Sequence, residues 1–235
     1  MTPAFAPGTV IAVLGAESTG KTELARAIAS GLAANLAHDG LAVEWVPEYL
    51  REWCDARHRT PRADEQAAIA QEQTRRIAAA AASGIAVADT TALMTAVYSD
   101  LLFDDDSLYA SALSAHRGYA VTLLTALDLP WKPDGLQRDG PHVQGPVDAR
   151  VRAALQRAAL PYSVVHGSGP ERLASAWNAI GRIAGAARGA ASLMEASDHA
   201  PAASAWRWPC DKCSDPACEH RLFSDLVARR GQAVR

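Results

Sequence analysis

From residue 9 to about residue 187, short runs of β-branched and other apolar residues alternate with longer alanine-rich stretches of helical period. The runs predict strands over Thr9–Leu14, Leu41–Val46, Ile85–Asp89, Ala120–Thr125 and Tyr162–His166. The stretches between and after them predict helices over Lys21–Ala37, Ala63–Ala82, Thr91–Leu102, Ser107–Ala115, Val147–Ala159 and Pro170–Ala187. A helix-length connection crosses one face of a sheet and returns in the same direction, so strands joined this way run parallel. The pattern therefore predicts a doubly wound α/β domain over residues 1–187, built on a mainly parallel five-stranded sheet.

Two segments break the alternation. Residues 128–146 hold four prolines and three glycines in nineteen positions, too long for an ordinary connection and typical of a lid or binding loop. Gly185–Ala205, rich in Ala, Ser and Gly, reads as a linker or a poorly anchored helix. The domain boundary is placed there, with a linker over 188–205 and a small Cys-rich tail over 206–235.

Composition narrows the class. The 235 residues carry a net charge of −3, with 49% hydrophobic and 21% charged positions, which fits one ordinary core plus a small appendage. No apolar run is long enough to span a membrane, and the first eight residues lack the basic and apolar regions of a signal peptide. A cytoplasmic protein is expected, and the absence of a basic field disfavours dedicated nucleic-acid binding.

Gly15-Ala16-Glu17-Ser18-Thr19-Gly20-Lys21-Thr22 fits G-x-x-x-x-G-K-[ST] and lies between a predicted strand and a predicted helix, the context this motif requires. The glycines let successive N–H groups turn inward on phosphate oxygens, and the helix adds its positive end. ATP is expected along Gly15–Glu23, with Lys21 reaching the β and γ phosphates and the Thr22 hydroxyl on Mg²⁺. A glycine-containing turn with a fortuitous Lys-Thr is the alternative. Asp89 ends an apolar strand, where it can face the magnesium or the attacking hydroxyl, or can cap the helix that follows.

The segment Pro47–Trp53 puts Glu48, Tyr49, Arg51, Glu52 and Trp53 at the end of the second strand, on the edge where ligands bind. The aromatic rings can sandwich a flat heterocycle and the carboxylates can hold ribose hydroxyls. The same residues also suit the start of an amphipathic helix.

Taken together, Gly15–Thr22, the Glu-Tyr-x-Arg-Glu of Glu48–Glu52, Asp89-Thr90 and the Trp-x-x-Asp-Gly-Leu of Trp131, Asp134, Gly135 and Leu136 resemble the ribosylnicotinamide kinase domain of the bifunctional NAD-biosynthesis regulator family, a branch of the AAA-like phosphate-loop kinases. The resemblance covers about residues 9–187. It implies transfer of the γ-phosphate of ATP to the 5′-hydroxyl of nicotinamide riboside, with Glu48, Tyr49, Arg51, Glu52, Trp131 and Asp134 on the nucleoside. In that reading Asp89 orients or deprotonates the hydroxyl, and a lid arginine stabilises the migrating phosphoryl group. Gln137 directly follows Asp-Gly-Leu where family members carry Arg, so the arginine is Arg138 or another such as Arg150. With eight residues ahead of the first strand, the chain is expected to hold the kinase alone. The alternatives are a kinase of another nucleoside or nucleotide, and a nucleotide-dependent regulatory switch.

The resemblance does not extend to the tail. Cys210, Cys213, Cys218 and His220 supply three thiolates and an imidazole in eleven residues, enough for a closed Cys₃His zinc site. A reactive dithiol and a disordered tail are the other readings. Trp206, Trp208 and the arginines beyond His220 can stack on a single strand of nucleic acid or pack the tail down, and packing is preferred.

Overall fold

The computed structural model describes residues 5–37, 40–132 and 140–195, with side chains as far as residue 182. The chain divides into two compact units, Met1–Ala191 and Ser192–Arg235. The elements below belong to the first, with the last helix extending to Glu195. The tail, most of the linker, and the lid residues Asp134 and Arg138 lie outside the described residues.

Among the described residues five strands form the sheet: β1 (Thr9–Leu14), β2 (Ala42–Val46), β3 (Gly84–Asp89), β4 (Val121–Thr125) and β5 (Ser163–Val165). Their order is β2-β3-β1-β4-β5 and every pairing is parallel. Seven α-helices among the described residues connect and cover them: α1 (Lys21–Leu36), α2 (Tyr49–Arg57), α3 (Ala63–Ser83), α4 (Ala92–Phe103), α5 (Tyr109–His116), α6 (Gln144–Arg157) and α7 (Gly169–Glu195). The expected doubly wound α/β fold is what forms, and each strand falls within one residue of its predicted ends.

Strands covered on both faces must be apolar throughout, and all of β3 and β4 is buried. Alternate residues serve the two faces. Ile11, Val13, Ile85, Val87, Val121 and Leu123 pack with Ile28 and Leu32 of α1 and Ala176 and Ile180 of α7. On the opposite face Leu14 and Leu124 pack with Leu93 and Val97 of α4 and with Val147 and Val151 of α6. Val10, Ala86 and Ala88 meet Ile77 and Ala80 of α3 on that side.

Three helices depart from the sequence pattern. α2 forms where the pattern sets no separate helix and where Glu48–Trp53 suits either a ligand-facing segment or the start of an amphipathic helix. α6 begins at Gln144 rather than Val147, taking Pro146 into its first turn, where a missing N–H removes no intrahelical bond. A 3₁₀ turn at Pro141–Val143 leads into it, so the end of the expected lid is helical. α7 continues past Ala187 into the stretch read as linker.

Candidate active site

β1 sits between β3 and β4, so the chain leaving its C-terminal end enters the crevice where connections depart to opposite sides of the sheet. Gly15 makes that exit with φ +146, and a β-carbon there would run into Thr125 Oγ1 at the end of β4. Gly20 closes the loop in the left-handed region, φ 76, as the N-cap of α1. No side chain caps α1, so the N–H groups of its first turn, which have no intrahelical acceptor, remain for an anion. Thr19 Oγ1 lies 2.7 Å from both Ala16 O and Thr125 Oγ1, and Thr125 Oγ1 lies 3.1 Å from Leu14 O. These hydroxyls tie the back of the loop to β4. Lys21 Nζ donates to Ala16 O at 2.8 Å, folded over the loop.

Asp89 is 1% exposed, and the register Val13↔Asp89 sets it beside the start of the loop. Burial raises its carboxyl above the usual range, opposed by a hydrogen bond from Thr22 and by the charges of Lys21, Arg51 and Arg26. Its Oδ1 is buried without a partner. The capping alternative for Asp89 fails, because Thr91 Oγ1 accepts from Leu93 N–H at 3.2 Å and is itself the cap of α4.

On the β2 side, α2 carries the predicted acceptor residues, but they divide. Arg51 Nε lies 3.8 Å from Glu48 Oε2, and its charge is felt at Asp89. Tyr49 and Glu52 instead engage Arg76 of α3, which donates to Glu52 Oε2 at 2.6 Å and lies over the Tyr49 ring at 4.3 Å. Gln73 fastens the start of α2, accepting from Tyr49 N–H at 2.7 Å. Trp53 is not available to a heterocycle: it is 6% exposed among Cys54 and Ile69, with Arg57 and Arg59 over its ring at 4.4 and 4.8 Å.

Both described ends of the lid segment reach the phosphate loop. Lys132 N–H donates to Ser18 Oγ at 2.7 Å, and Gln144 Nε2 donates to Glu17 O at 2.8 Å. Trp131, next to Lys132, buries its indole N–H without a partner. Arg150 Nε pairs with Asp100 Oδ2 at 3.0 Å. Beyond β4, Asp128 accepts from Gly167 N–H at 2.7 Å and pairs with the buried Arg172, which also donates to Gly167 O at 2.9 Å. That clamp, Gln73 and Gln144 had no sequence signal. Thr125 had only its place at the end of a strand.

A family model described as an AAA domain matches residues 10–172, more than half of the chain. No curated protein matches in sequence. Among solved structures, the NadR protein in complex with NR (nicotinamide riboside) superposes with a TM-score of 0.61 at 20% identity, covering 75% of this chain and 52% of that one. The NadR protein with NAD and AMP-PNP gives 0.58 at 19% identity, covering 75% and 49%. The chain thus spans about half the length of these NadR chains. With a phosphate loop at the end of β1, a parallel sheet of the same fold and a matching family model, the chain belongs to the AAA-domain family and has the phosphate-loop fold seen in NadR.

Proposed function

We propose that the chain is an ATP-dependent kinase acting on the 5′-hydroxyl of nicotinamide riboside, giving nicotinamide mononucleotide. The observation that carries this reading is the buried Asp89 carboxylate, hydrogen-bonded to Thr22 of the phosphate loop and flanked by Lys21 and Arg51. Its second oxygen, buried without a partner, is available to a metal ion or to an acceptor hydroxyl beside the phosphates. In the transfer, the hydroxyl oxygen bonds to the γ-phosphorus, the bond to the β,γ-bridging oxygen breaks, and the hydroxyl proton passes to Asp89.

Mg²⁺ fits the donor set. Thr22 and Asp89 offer hard oxygens side by side, and one carboxylate oxygen lacks a partner. Mg²⁺ keeps most of its waters and takes only one or two protein oxygens. When bound, it neutralises charge on the phosphates. Lys21 holds the phosphates from the other side, Glu48 and Arg51 position the nucleoside, and Trp131 closes over it. Since Asp100 engages Arg150, Arg138 is the lid arginine assigned to the phosphoryl oxygens.

Purified protein incubated with ATP, Mg²⁺ and a panel of nucleosides should convert nicotinamide riboside to its monophosphate. Conversion of a different nucleoside would reassign the acceptor, and tight ATP binding with no acceptor phosphorylated would favour a switch. For the tail we propose a zinc site at Cys210, Cys213, Cys218 and His220. Metal analysis should find zinc in the protein and lose it in Cys213→Ser, and equal contents in both would remove the site.

A further inference from the structure

The roles assigned so far leave unused the imidazole of His116, at the end of α5. It is 2% exposed, and burial lowers its pKa to about 4, so the ring is neutral at pH 7. Tyr119 lies edge-on to it at 4.8 Å. Nε2 is 2.9 Å from Thr122 Oγ1 of β4, and Nδ1 is 3.5 Å from Thr91 Oγ1.

Thr91 Oγ1 also accepts from Leu93 N–H. The neutral ring offers one N–H and one acceptor nitrogen, so of the two threonine hydroxyls one donates to it and the other accepts from it. Thr91 is two residues beyond Asp89, and the residue between them, Thr90, has φ 68 with its N–H on Val13 O at 3.0 Å. The turn that carries the carboxylate from β3 into α4 is therefore fastened to β1 through Thr90, to α4 through Thr91, and to β4 through His116. An aliphatic side chain would fill the same space without a desolvation cost, but could not make the third, directional link.

We infer that His116 is a positioning residue: by tying Thr91 to β4 it fixes the orientation of the Asp89 carboxylate toward Thr22. The inference rests on the proposed role of Asp89 at the metal-bound phosphates and is independent of which nucleoside is the acceptor.

The test is the Mg²⁺ dependence of ATP binding, read by calorimetry on the full chain, with Thr122→Val, His116→Leu and His116→Asn. Thr122→Val keeps the volume and the strand, removing only the anchor of the imidazole. Metal-free ATP affinity should be unchanged. The Mg²⁺ concentration for half-maximal tightening should rise roughly five- to tenfold in Thr122→Val and His116→Leu, the usual effect of losing about one hydrogen bond. His116→Asn, whose shorter amide can take the place of Nδ1 but does not extend to Thr122, should shift the midpoint as far as Thr122→Val does. Lower melting temperatures with an unchanged Mg²⁺ midpoint would overturn the inference while leaving the kinase reading intact. Wild-type binding that does not respond to Mg²⁺ at all would overturn both.

Discussion

Burial pushes the Asp89 carboxyl up, while the Thr22 hydroxyl and the charges of Lys21, Arg51 and Arg26 pull it down without fully compensating. Below the ordinary carboxylate range the group is protonated in both folded and unfolded chains, and its burial costs little. As pH rises through the raised folded-state pKa, the full penalty of an ionised buried group appears. Asp89→Asn should therefore melt above the wild type at pH 7, with the advantage gone near pH ~3, while phosphoryl transfer falls by about 100-fold or more. A variant that melts lower at pH 7, or that turns over normally, would remove the site assignment. Lys21→Ala should lose a similar factor in transfer through weaker phosphate neutralisation. Lys21, Thr22 and Asp89 were legible because their signals are local: a motif of eight residues, and a carboxylate closing an apolar run. The Thr19–Thr125 contact and the His116 bridge join residues 106 and 25 positions apart, and no local pattern announces which strands will be neighbours.

Among the elements, α2 shows why the sequence alone does not tell the buried Trp53 from a ligand-facing ring. Nine residues span too short a window for a 3.6-residue period to stand out, and Glu-Tyr-Leu-Arg-Glu-Trp reads equally as a row of ligand-facing groups. The helix divides these residues. Trp53 and Cys54 turn inward onto Ile69 of α3, while Glu48 and Arg51 stay on the Asp89 side. Trp53 thus anchors the element that carries the acceptor contacts. Trp53→Ala should cost about 3–5 kcal/mol and lower the melting temperature by roughly 10 °C. Under conditions where the variant remains folded, it should raise the KM for the nucleoside with little change in ATP affinity. An unchanged nucleoside KM would separate α2 from the acceptor site. The strands are more legible, since short β-branched apolar runs such as those of β1, β3 and β4 are bounded by turns and too short for a buried helix.

Parallel strands and crossovers could be derived from the spacing of elements, but the order β2-β3-β1-β4-β5 could not, because it depends on how far each crossover travels before its strand pairs. That order joins the parts into one site. It places β1, with the phosphate loop, between the strand ending in Asp89 and the strand ending in Thr125, while β2 delivers α2 alongside Asp89. Nucleotide binding should therefore be felt across the sheet rather than by the loop alone. At a hundredfold excess over its Kd, Mg·ATP stabilises a folded protein by about 2.7 kcal/mol, which for a domain of this size corresponds to a rise of roughly 5–10 °C in melting temperature. Lys21→Ala should lose most of that rise at the same ATP concentration. Asp89→Asn should keep the part produced by ATP without metal and lose the increment that Mg²⁺ adds, since only the second depends on the carboxylate. If both variants lost the whole shift, Asp89 would be holding the loop together rather than acting on the metal-bound phosphates, and its part in the transfer would have to be reassigned.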